Sequence, residues 1–326
     1  MQYCHPFCDK IKVEVEMTQG PGPNLIPLTK LTLSEILSGS LNSLRRLPKT
    51  LLGIGLFSGF IVGLSNILAS ALVVQNGESL EMPALPNPSS VITPQQIEEL
   101  IQALAPTLKV AVITSIVLFI VQTISAGMFT HIVGNAIIGK KINVAESWKK
   151  TQPQLRRIVV LSIISFLLPT SAVVIGLLIG VSLSGNSPLL VFVGLGLGLV
   201  AAIYLWIGLY VSIPTLVLED SKLTTAFKRS FYLAQTNFFR TLGIGIMGII
   251  TSQAISIVVS TPFTLFAQTN STQGPTTSSI FMSSMGSILG YTFMLPFIAS
   301  FTTLLYTDLR IRKENIATEL DKAKNQ

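Results

Sequence analysis

The sequence has few charged residues. Asp, Glu, Lys and Arg make up only 11% of its 326 residues, whereas apolar residues make up 49%. A soluble domain of this length carries roughly a quarter charged residues, which keep its surface hydrated. Because this chain has less than half of that share, it does not have the composition of a soluble globular protein.

Histidine and cysteine are also rare, with two of each. Cys4, His5 and Cys8 lie close together, but a structural zinc site takes four ligands and the second histidine, His131, falls in a predicted membrane span. The sequence contains no Ser-His-Asp set, no HExxH motif and no acidic pair for a metal. We therefore expect no metal, no cofactor and no enzymatic activity, with an intramembrane enzyme that uses His131 as a minor alternative.

Long apolar runs are what the sequence has in abundance. Six runs reach the length of about 20 residues that a helix needs to cross a bilayer. In hydrocarbon each run must satisfy its backbone hydrogen bonds internally, as a helix does. The pattern predicts an all-α integral membrane protein with spans at about 50–74, 108–138, 158–182, 189–214, 242–266 and 280–306.

The basic residues alternate between the segments that join these spans. Six precede the first span, and six, four and five lie in the later segments on the same side, so that 21 of the 22 Lys and Arg share one side. Lys109 is the exception. This distribution follows the positive-inside rule, which predicts cytoplasmic N- and C-termini. Anionic lipid headgroups are the expected neighbours of the basic segments, and no nucleic-acid partner is expected.

Each pair of spans is preceded by a short segment with apolar residues at helical spacing. The clearest is 31–47, where Thr32 and Glu35 fit a capping box. Similar segments occupy 145–157 and 222–238. The pattern predicts three hairpins of membrane helices, each preceded by an amphipathic helix in the cytoplasmic interface, and we interpret them as three divergent copies of one repeat.

The chain is thereby divided into three parts. Residues 1–27 lack the apolar core of a secretory signal and are expected to form a disordered cytoplasmic leader. Residues 28–315 form the six-helix membrane domain, and 316–326 a cytoplasmic tail. On the opposite side of the membrane, a short helix is predicted at 95–104.

Three sets of residues in the membrane domain have predicted roles. The candidate contacts for anionic lipid or for a partner protein are Arg45, Arg46, Arg156, Arg157, Lys228 and Arg229. Glycines four residues apart share one helix face and let a second helix approach, which applies to Gly55, Gly59, Gly63, Gly194, Gly198, Gly286 and Gly290. Pro169 and Pro296 each remove an amide donor within a span and are predicted to kink their helices.

One stretch of the sequence resembles a known family. The run PTLVLEDSKLTTAFKRSFYLAQTNFFRTLG, from Pro214, is similar to the membrane domain associated with bacterial glycerophosphoryl diester phosphodiesterases and to related actinobacterial and firmicute membrane proteins. Two further stretches, PLTKLTLSEILSGSLNSLRRLPKTLLG near the start and LLYTDLRIRKE at the end of the sixth span, extend the resemblance to about residues 27–315. It implies a shared membrane fold and a bacterial plasma-membrane location. In family members that hydrolyse diesters a separate soluble barrel carries the activity, so the resemblance implies no phosphodiesterase activity here.

Polar residues near the ends of the spans also match positions of this family. They are Glu219, Asp220, Arg229, Asn237, Asp308, Arg310 and Arg312. The resemblance implies that they hold the interfacial helices against the span ends, with contact to a partner as the alternative.

These features together predict a non-catalytic membrane module that binds lipid or a partner protein through its cytoplasmic helices. The alternative function is a transporter or exporter of a small or lipid-like substrate. It is favoured by the prolines within the spans and by the predicted repeat.

Overall fold

A computed structural model describes residues 30–76, 93–184, 188–235, 237–269 and 277–314. The predicted leader, the predicted tail and the group Cys4, His5 and Cys8 lie outside the described residues. Within these ranges the secondary structure is helical and contains no β-strand.

The described chain forms ten α-helices and one 3₁₀-helix. In chain order they are α1 (Leu33–Arg46), α2 (Pro48–Gln75), α3 (Pro94–Ile137), α4 (Val144–Thr151), η1 (Gln152–Gln154), α5 (Leu155–Ser184), α6 (Leu189–Leu209), α7 (Ser212–Glu219), α8 (Leu223–Gln235), α9 (Phe238–Thr269) and α10 (Thr277–Glu314). Within the described residues, six helical stretches are long and apolar enough to cross a membrane, and they contain α2, α3, α5, α6, α9 and α10. The predicted fold class, an all-α membrane protein with six spans, is confirmed. The pairing of the spans into hairpins and the interfacial position of the short helices stay predictions.

Three helices differ from their predicted bounds. The short helix predicted at 95–104 is not separate, because α3 runs continuously for 44 residues through Pro106. The fourth predicted span is divided at Tyr210, between α6 and α7. Pro214 lies in the first turn of α7, where a backbone N–H would have no partner within the helix, so that proline is tolerated there. Helix α10 continues to Glu314 instead of ending near 306 because ion pairs four residues apart stabilise its last turns.

By internal contacts the chain divides into two units. Unit 1 comprises Met1–Leu51, Ala126–Thr251 and Pro296–Gln326, and unit 2 comprises Leu52–Ser125 and Ser252–Leu295. The boundaries fall within α2, α3, α9 and α10. Unit 1 therefore contains the short helices α1, α4, α7 and α8 as well as the complete α5 and α6.

In unit 2, helices α2 and α10 approach each other at glycines. A Cβ atom at Gly55 or Gly59 would overlap the backbone carbonyl of Thr292 or Ile288, respectively. One turn further along α2, Gly63 faces the Ile288 side chain. The glycine spacing identified in the sequence thus lies where two helix backbones are in contact.

The other face of α10 in unit 2 packs on α9 through small residues. A Cβ atom at Gly290 would lie 2.8 Å from Ser256 Oγ, and one at Gly286 would lie 3.1 Å from the Ser260 carbonyl oxygen. Small residues on both helices therefore allow the close approach.

In unit 1, α5 and α6 pack against each other in antiparallel directions, with glycines facing each other. A Cβ atom at Gly194 would lie 2.6 Å from Gly180 Cα, and one at Gly176 would lie 2.6 Å from Gly198 Cα. The outer faces of both helices present large apolar side chains, such as Phe192, which is 70% exposed. Such a surface suits hydrocarbon and not water.

The predicted kink residues both lie inside helices that continue past them, Pro169 in α5 and Pro296 in α10. An apolar cluster in unit 1 joins α5, α7 and α8, so that the short helices share a core with a long one. Its buried members are Ile158, Leu161, Leu216, Val217 and Ala226.

Candidate functional site

The basic side chains of unit 1 gather on the short helices α1, α4 and α8 and on the adjoining ends of the long helices, a region we term the basic end. Helix α1 begins with the predicted capping box, which is confirmed. Glu35 N donates to Thr32 Oγ1 at 3.3 Å, and Thr32 N donates to Glu35 Oε2 at 2.6 Å. Helix α4 begins with the same arrangement, formed by Asn143 and Glu146. The sequence analysis missed this second capping box, although the spacing Asn-x-x-Glu is typical of one.

Helix α1 turns small residues toward the protein. Gly39, Ser40 and Ser43 are buried together with the larger Ile36, whereas Leu41 is 42% exposed. Arg45 and Arg46 in its last turn are also exposed. Helix α1 therefore presents both apolar and basic side chains at its surface.

Helix α4 likewise buries small residues and exposes large and basic ones. Ser147 and Thr151 are buried, and Ser147 Oγ donates a hydrogen bond of 2.8 Å to the carbonyl oxygen of Met128 on α3. Trp148 is 40% exposed, beside exposed Lys149. The small polar side chains fix the helix, and the larger ones remain at the surface.

Helix α8 packs on α6 through small side chains. Ser230 Oγ donates a hydrogen bond of 2.6 Å to the carbonyl oxygen of Gly208. A side chain at position 208 would overlap the ring of Phe231. Tyr232, on the other side of α8, is 55% exposed, and Lys228 is exposed as well.

Asp308 lies at the centre of the first of two buried charge clusters. Its side chain is fully buried and accepts hydrogen bonds from Arg240 Nη1 at 2.5 Å and from Arg312 Nε at 2.9 Å. It also accepts from the backbone N–H of Leu31 at 2.8 Å. The Leu31 carbonyl oxygen accepts from Arg240 Nη2 at 2.7 Å and from Arg312 Nη2 at 2.8 Å. The backbone N–H and carbonyl oxygen of Leu31, one residue before the Thr32 cap, are therefore both hydrogen-bonded to this cluster.

This Asp308 cluster anchors the start of α1 to α9 and α10. A buried carboxylate is tolerated only when it is paired and hydrogen-bonded, and here three donor atoms surround it: Leu31 N, Arg240 Nη1 and Arg312 Nε. With two guanidinium groups for one carboxylate, the cluster carries one excess positive charge. Arg240 and Arg312 are only about a quarter exposed, at 28% and 24% of their side-chain surface.

Glu219 lies at the centre of the second cluster, and its side chain is 1% exposed. It accepts hydrogen bonds from Arg229 Nε and from the Tyr306 hydroxyl, both at 2.6 Å. Arg310 Nε lies 3.8 Å away. Glu314 closes the ring, because it accepts from Arg229 Nη2 at 2.7 Å and from Arg310 Nε at 2.9 Å. This Glu219 cluster joins α7, α8 and α10 and balances two carboxylates with two guanidinium groups.

The electrostatics keep Arg229 charged. Burial lowers the pKa of its guanidinium group, but the hydrogen bond and the negative charge of Glu219, together with Glu314, outweigh this effect and leave the pKa raised. The ion pairs therefore persist over the whole pH range in which the carboxylates are ionised.

The predicted contact residues fall into two groups in the structure. Arg45, Arg46, Arg156 and Lys228 are exposed on unit 1. Arg157 is 40% exposed and lies 3.4 Å from Asp220, whereas Arg229 is held inside the Glu219 cluster.

The structure brings together five of the seven residues that match family positions. Glu219, Arg229 and Arg310 lie in one cluster, and Asp308 and Arg312 lie in the other. Asp220, with φ of 46°, terminates α7 and pairs with Arg157, and Asn237 accepts the N–H of Thr241 at the start of α9 through its backbone carbonyl.

The sequence analysis missed two members of the Asp308 cluster. Arg240 lies within the matching stretch TNFFRTLG, so its position beside Asn237 was a usable signal. The Leu31 peptide leaves no signal in the sequence, because any residue type has the same backbone groups.

Beside the Glu219 cluster, the surface of α8 forms an open concavity of ≈ 350 Å³ lined by Thr224, Thr225, Lys228, Arg229 and Tyr232. Lys313 lies over the Tyr232 ring, 3.1 Å from its centroid. Within the described ranges no three His, Cys, Asp or Glu side chains are grouped to hold a metal ion.

Residues 185–326 match the family model of the membrane domain of glycerophosphoryl diester phosphodiesterase. The resemblance found in the sequence is confirmed over this range, which contains the Glu219 cluster and all of the Asp308 cluster except Leu31. The stretch near the start of the chain lies outside the match, so the wider extent of 27–315 is not supported. The matched domain is a membrane domain and not a catalytic one. No curated protein and no solved structure matches the chain.

Proposed function

We propose that this protein is a non-catalytic module of the bacterial plasma membrane that binds anionic lipid headgroups at its basic end, which faces the cytoplasm. One observation carries the proposal. Each of the three short helices buries mainly small residues against the protein and leaves a large apolar or aromatic side chain exposed beside a basic one: Leu41 with Arg45, Trp148 with Lys149, and Tyr232 with Lys228.

This combination suits the boundary between hydrocarbon and headgroups. A helix that lies in this boundary inserts its apolar side chains below the headgroups and directs its Lys and Arg toward the phosphates. Aromatic residues such as Trp148 are enriched at the same depth. Each basic residue near an anionic membrane surface contributes about 1 kcal/mol, so that several together give a substantial preference for anionic lipid.

The two charge clusters support the same function indirectly. Arg229, Arg240, Arg310 and Arg312 pair with buried carboxylates and hold the helices. Because they fix α1 and α8, the exposed cations of these helices stay at the surface. The family match supports the non-catalytic part of the proposal, since it concerns a membrane domain.

The test measures lipid retention by the full chain, purified in mild detergent, with native mass spectrometry. The test variant combines Arg45→Gln, Arg46→Gln, Arg156→Gln and Lys228→Gln. We expect its affinity for phosphatidylglycerol to fall at least tenfold, with no change for phosphatidylcholine. The control is Lys109→Gln, which removes an exposed cation of α3 that lies away from the basic end in the sequence and should change neither affinity.

Equal retention of phosphatidylglycerol by the test variant and the unmodified protein would contradict the proposal. A stoichiometric protein that co-purifies with the unmodified chain and is lost from the test variant, without any loss of lipid, would show that the exposed cations bind a protein partner instead.

A second candidate function, transport of a small or lipid-like substrate, is favoured by the division of the fourth span between α6 and α7. Discontinuous membrane helices form substrate sites in many transporters. In a chain with Cys4→Ser and Cys8→Ser, cysteines introduced by Ser171→Cys and Ser300→Cys near the two span prolines should be protected from labelling by a transported substrate. Uniform labelling with every candidate substrate would count against transport.

A further inference from the structure

Six described side chains of unit 1 are buried and have a polar atom without a hydrogen-bond partner, and three of them are His131, Gln154 and Ser221. His131 lies near the end of α3, Gln154 in η1, and Ser221 directly after α7, and each residue is 7% exposed. The atoms concerned are His131 Nε2, Gln154 Oε1 and Ser221 Oγ. Three different elements therefore bring polar groups together at the basic end, and none belongs to the Asp308 or Glu219 cluster.

Asp220 connects these side chains. Its Oδ1 accepts hydrogen bonds from Gln154 Nε2 at 3.1 Å and from Arg157 Nη1 at 3.4 Å. Arg157 Nη1 also donates to the backbone carbonyl oxygen of Ser221 at 3.2 Å. His131 belongs to the part of α3 that packs against α7, because a Cβ atom at Gly134, three residues further on, would lie 2.5 Å from Leu218 Cδ2. We term these residues, His131, Gln154, Arg157, Asp220 and Ser221, the Gln154 cluster.

Buried polar atoms in proteins have partners in nearly all cases, and an orphan calls for a water, an ion or a ligand. Gln154 Oε1 can only accept a hydrogen bond, whereas the Ser221 hydroxyl and the His131 ring can each donate or accept. A group that donates at least one hydrogen bond and makes two more would satisfy all three atoms. A vicinal diol has the donors and acceptors to do this.

The charged side chains around the cluster indicate which chemical group should carry the diol. Arg157, 40% exposed, together with Arg156 and Lys150, favours a phosphate group at the surface. Asp220 is 47% exposed and repels a second negative charge, which disfavours a phosphomonoester relative to a diester of single charge. Exposed Trp148 indicates the level of the membrane interface.

The ion pair Arg157–Asp220 is the more exposed part of the cluster, whereas Gln154, Ser221 and His131 are buried. Arg157 Nη1 and Asp220 Oδ1 lie 3.4 Å apart, and the two side chains are 40% and 47% exposed. An exposed ion pair contributes little to stability, so that it separates readily when a phosphate competes for Arg157.

We propose that the Gln154 cluster is a headgroup site for an anionic phosphodiester lipid with a free diol, in which the diol reaches Gln154, Ser221 and His131 while Arg157 holds the phosphate. This inference rests on the proposed function, because it assumes that the basic end meets anionic lipid, and it specifies which headgroup is preferred.

The test compares two lipids of equal charge, using the full chain in mild detergent and native mass spectrometry. Phosphatidylglycerol carries the diol, whereas phosphatidylmethanol carries the same single phosphodiester charge without any hydroxyl. We expect the protein to prefer phosphatidylglycerol at least fivefold. Ser221→Ala should reduce this preference to less than twofold, and Gln154→Ala should do the same. The control is Ser182→Ala, whose hydroxyl bonds to its own helix at the Ile179 carbonyl, and it should keep the full preference.

The outcomes separate this inference from the proposed function. Equal binding of the two anionic lipids, both above phosphatidylcholine, would overturn the diol site and leave the proposed function standing. Binding of neither above phosphatidylcholine would overturn both. Displacement of phosphatidylglycerol by soluble glycerophosphoglycerol at similar concentration would assign the site to a free diester and overturn the lipid assignment; we expect no displacement.

Discussion

The hydroxyl of Tyr306 donates a hydrogen bond of 2.6 Å to Glu219 Oε1, although the two residues lie 87 positions apart in the chain. The bond ties α10 to the end of α7, and both side chains are buried. Because the acceptor is a carboxylate, the bond is stronger than one between neutral groups.

We expect Tyr306→Phe to lower the free energy of unfolding by about 1.5–3 kcal/mol, the contribution of a hydrogen bond to a charged group. Unfolding of the full chain by titration with SDS in mixed micelles measures the change. Tyr291→Phe on the same helix is the matched control, because the Tyr291 hydroxyl has no hydrogen bond among the described residues and its loss should have little effect. Equal effects of the two variants would contradict the role of the Tyr306 bond.

Asp308→Asn should lower the free energy of unfolding by more than Tyr306→Phe does. The substitution keeps the shape of the side chain but removes the charge that faces Arg240 and Arg312, and breaking a buried ion pair typically costs about 3–5 kcal/mol. Since both arginines are partly hydrated, we expect about 3 kcal/mol in the same SDS titration.

The control for Asp308→Asn is Asp220→Asn. Asp220 is 47% exposed in its ion pair with Arg157. An exposed pair of this kind contributes about 1 kcal/mol or less to the free energy of unfolding. Asparagine also tolerates the left-handed backbone of this position. If Asp308→Asn were as mild as Asp220→Asn, the Asp308 cluster would not anchor α1.

Two glycines of α6, Gly194 and Gly196, should respond differently to substitution by alanine. A Cβ atom at Gly194 meets the backbone of α5, whereas one at Gly196 meets no atom within 4 Å. Gly194→Ala should therefore destabilise the protein by about 1–3 kcal/mol through overpacking, and Gly196→Ala should stay within about 0.5 kcal/mol. Thermal midpoints in detergent compare the two, and similar midpoints would contradict the close approach of these helices.

The capping box of α1 predicts a pH effect. Hydrogen bonds from the backbone N–H and the hydroxyl of Thr32 lower the pKa of Glu35 below its ordinary value of 4.5. A lowered folded pKa means that the stabilisation is fully present above 4.5 and is lost as the pH falls through the folded value.

Hydrogen exchange of the first turn of α1, corrected for the intrinsic rate, should show protection that falls between pH 5 and pH 3. Glu35→Gln can keep the cap without a titrating group, so its protection should not change over this range. A parallel loss of protection in Glu35→Gln would attribute the effect to another group.

The sequence by itself determined the features that depend on composition and local spacing. The six spans follow from the apolar runs, since the bilayer requires helices of that length, and the Thr32 box follows from residues three positions apart. The glycine spacing also predicted where helices approach, because residues four apart share a helix face. The resemblance singled out Glu219 and Asp308 together with Arg229, Arg310 and Arg312, but it did not indicate which arginine pairs with which carboxylate.

Tertiary structure alone decided which groups those carboxylates meet. Lys228 and Arg229 are neighbours in the chain and carry the same charge, and the sequence analysis named both as candidate contacts for lipid or a partner protein. One residue is 100° from the next around a helix, and the packing of α8 on α6 turns Arg229 toward Glu219 and Glu314 while Lys228 stays exposed. A local pattern contains no information on that rotation, because it is fixed by Ser230, Gly208 and the carboxylates of α7 and α10, which come together only when the chain has folded.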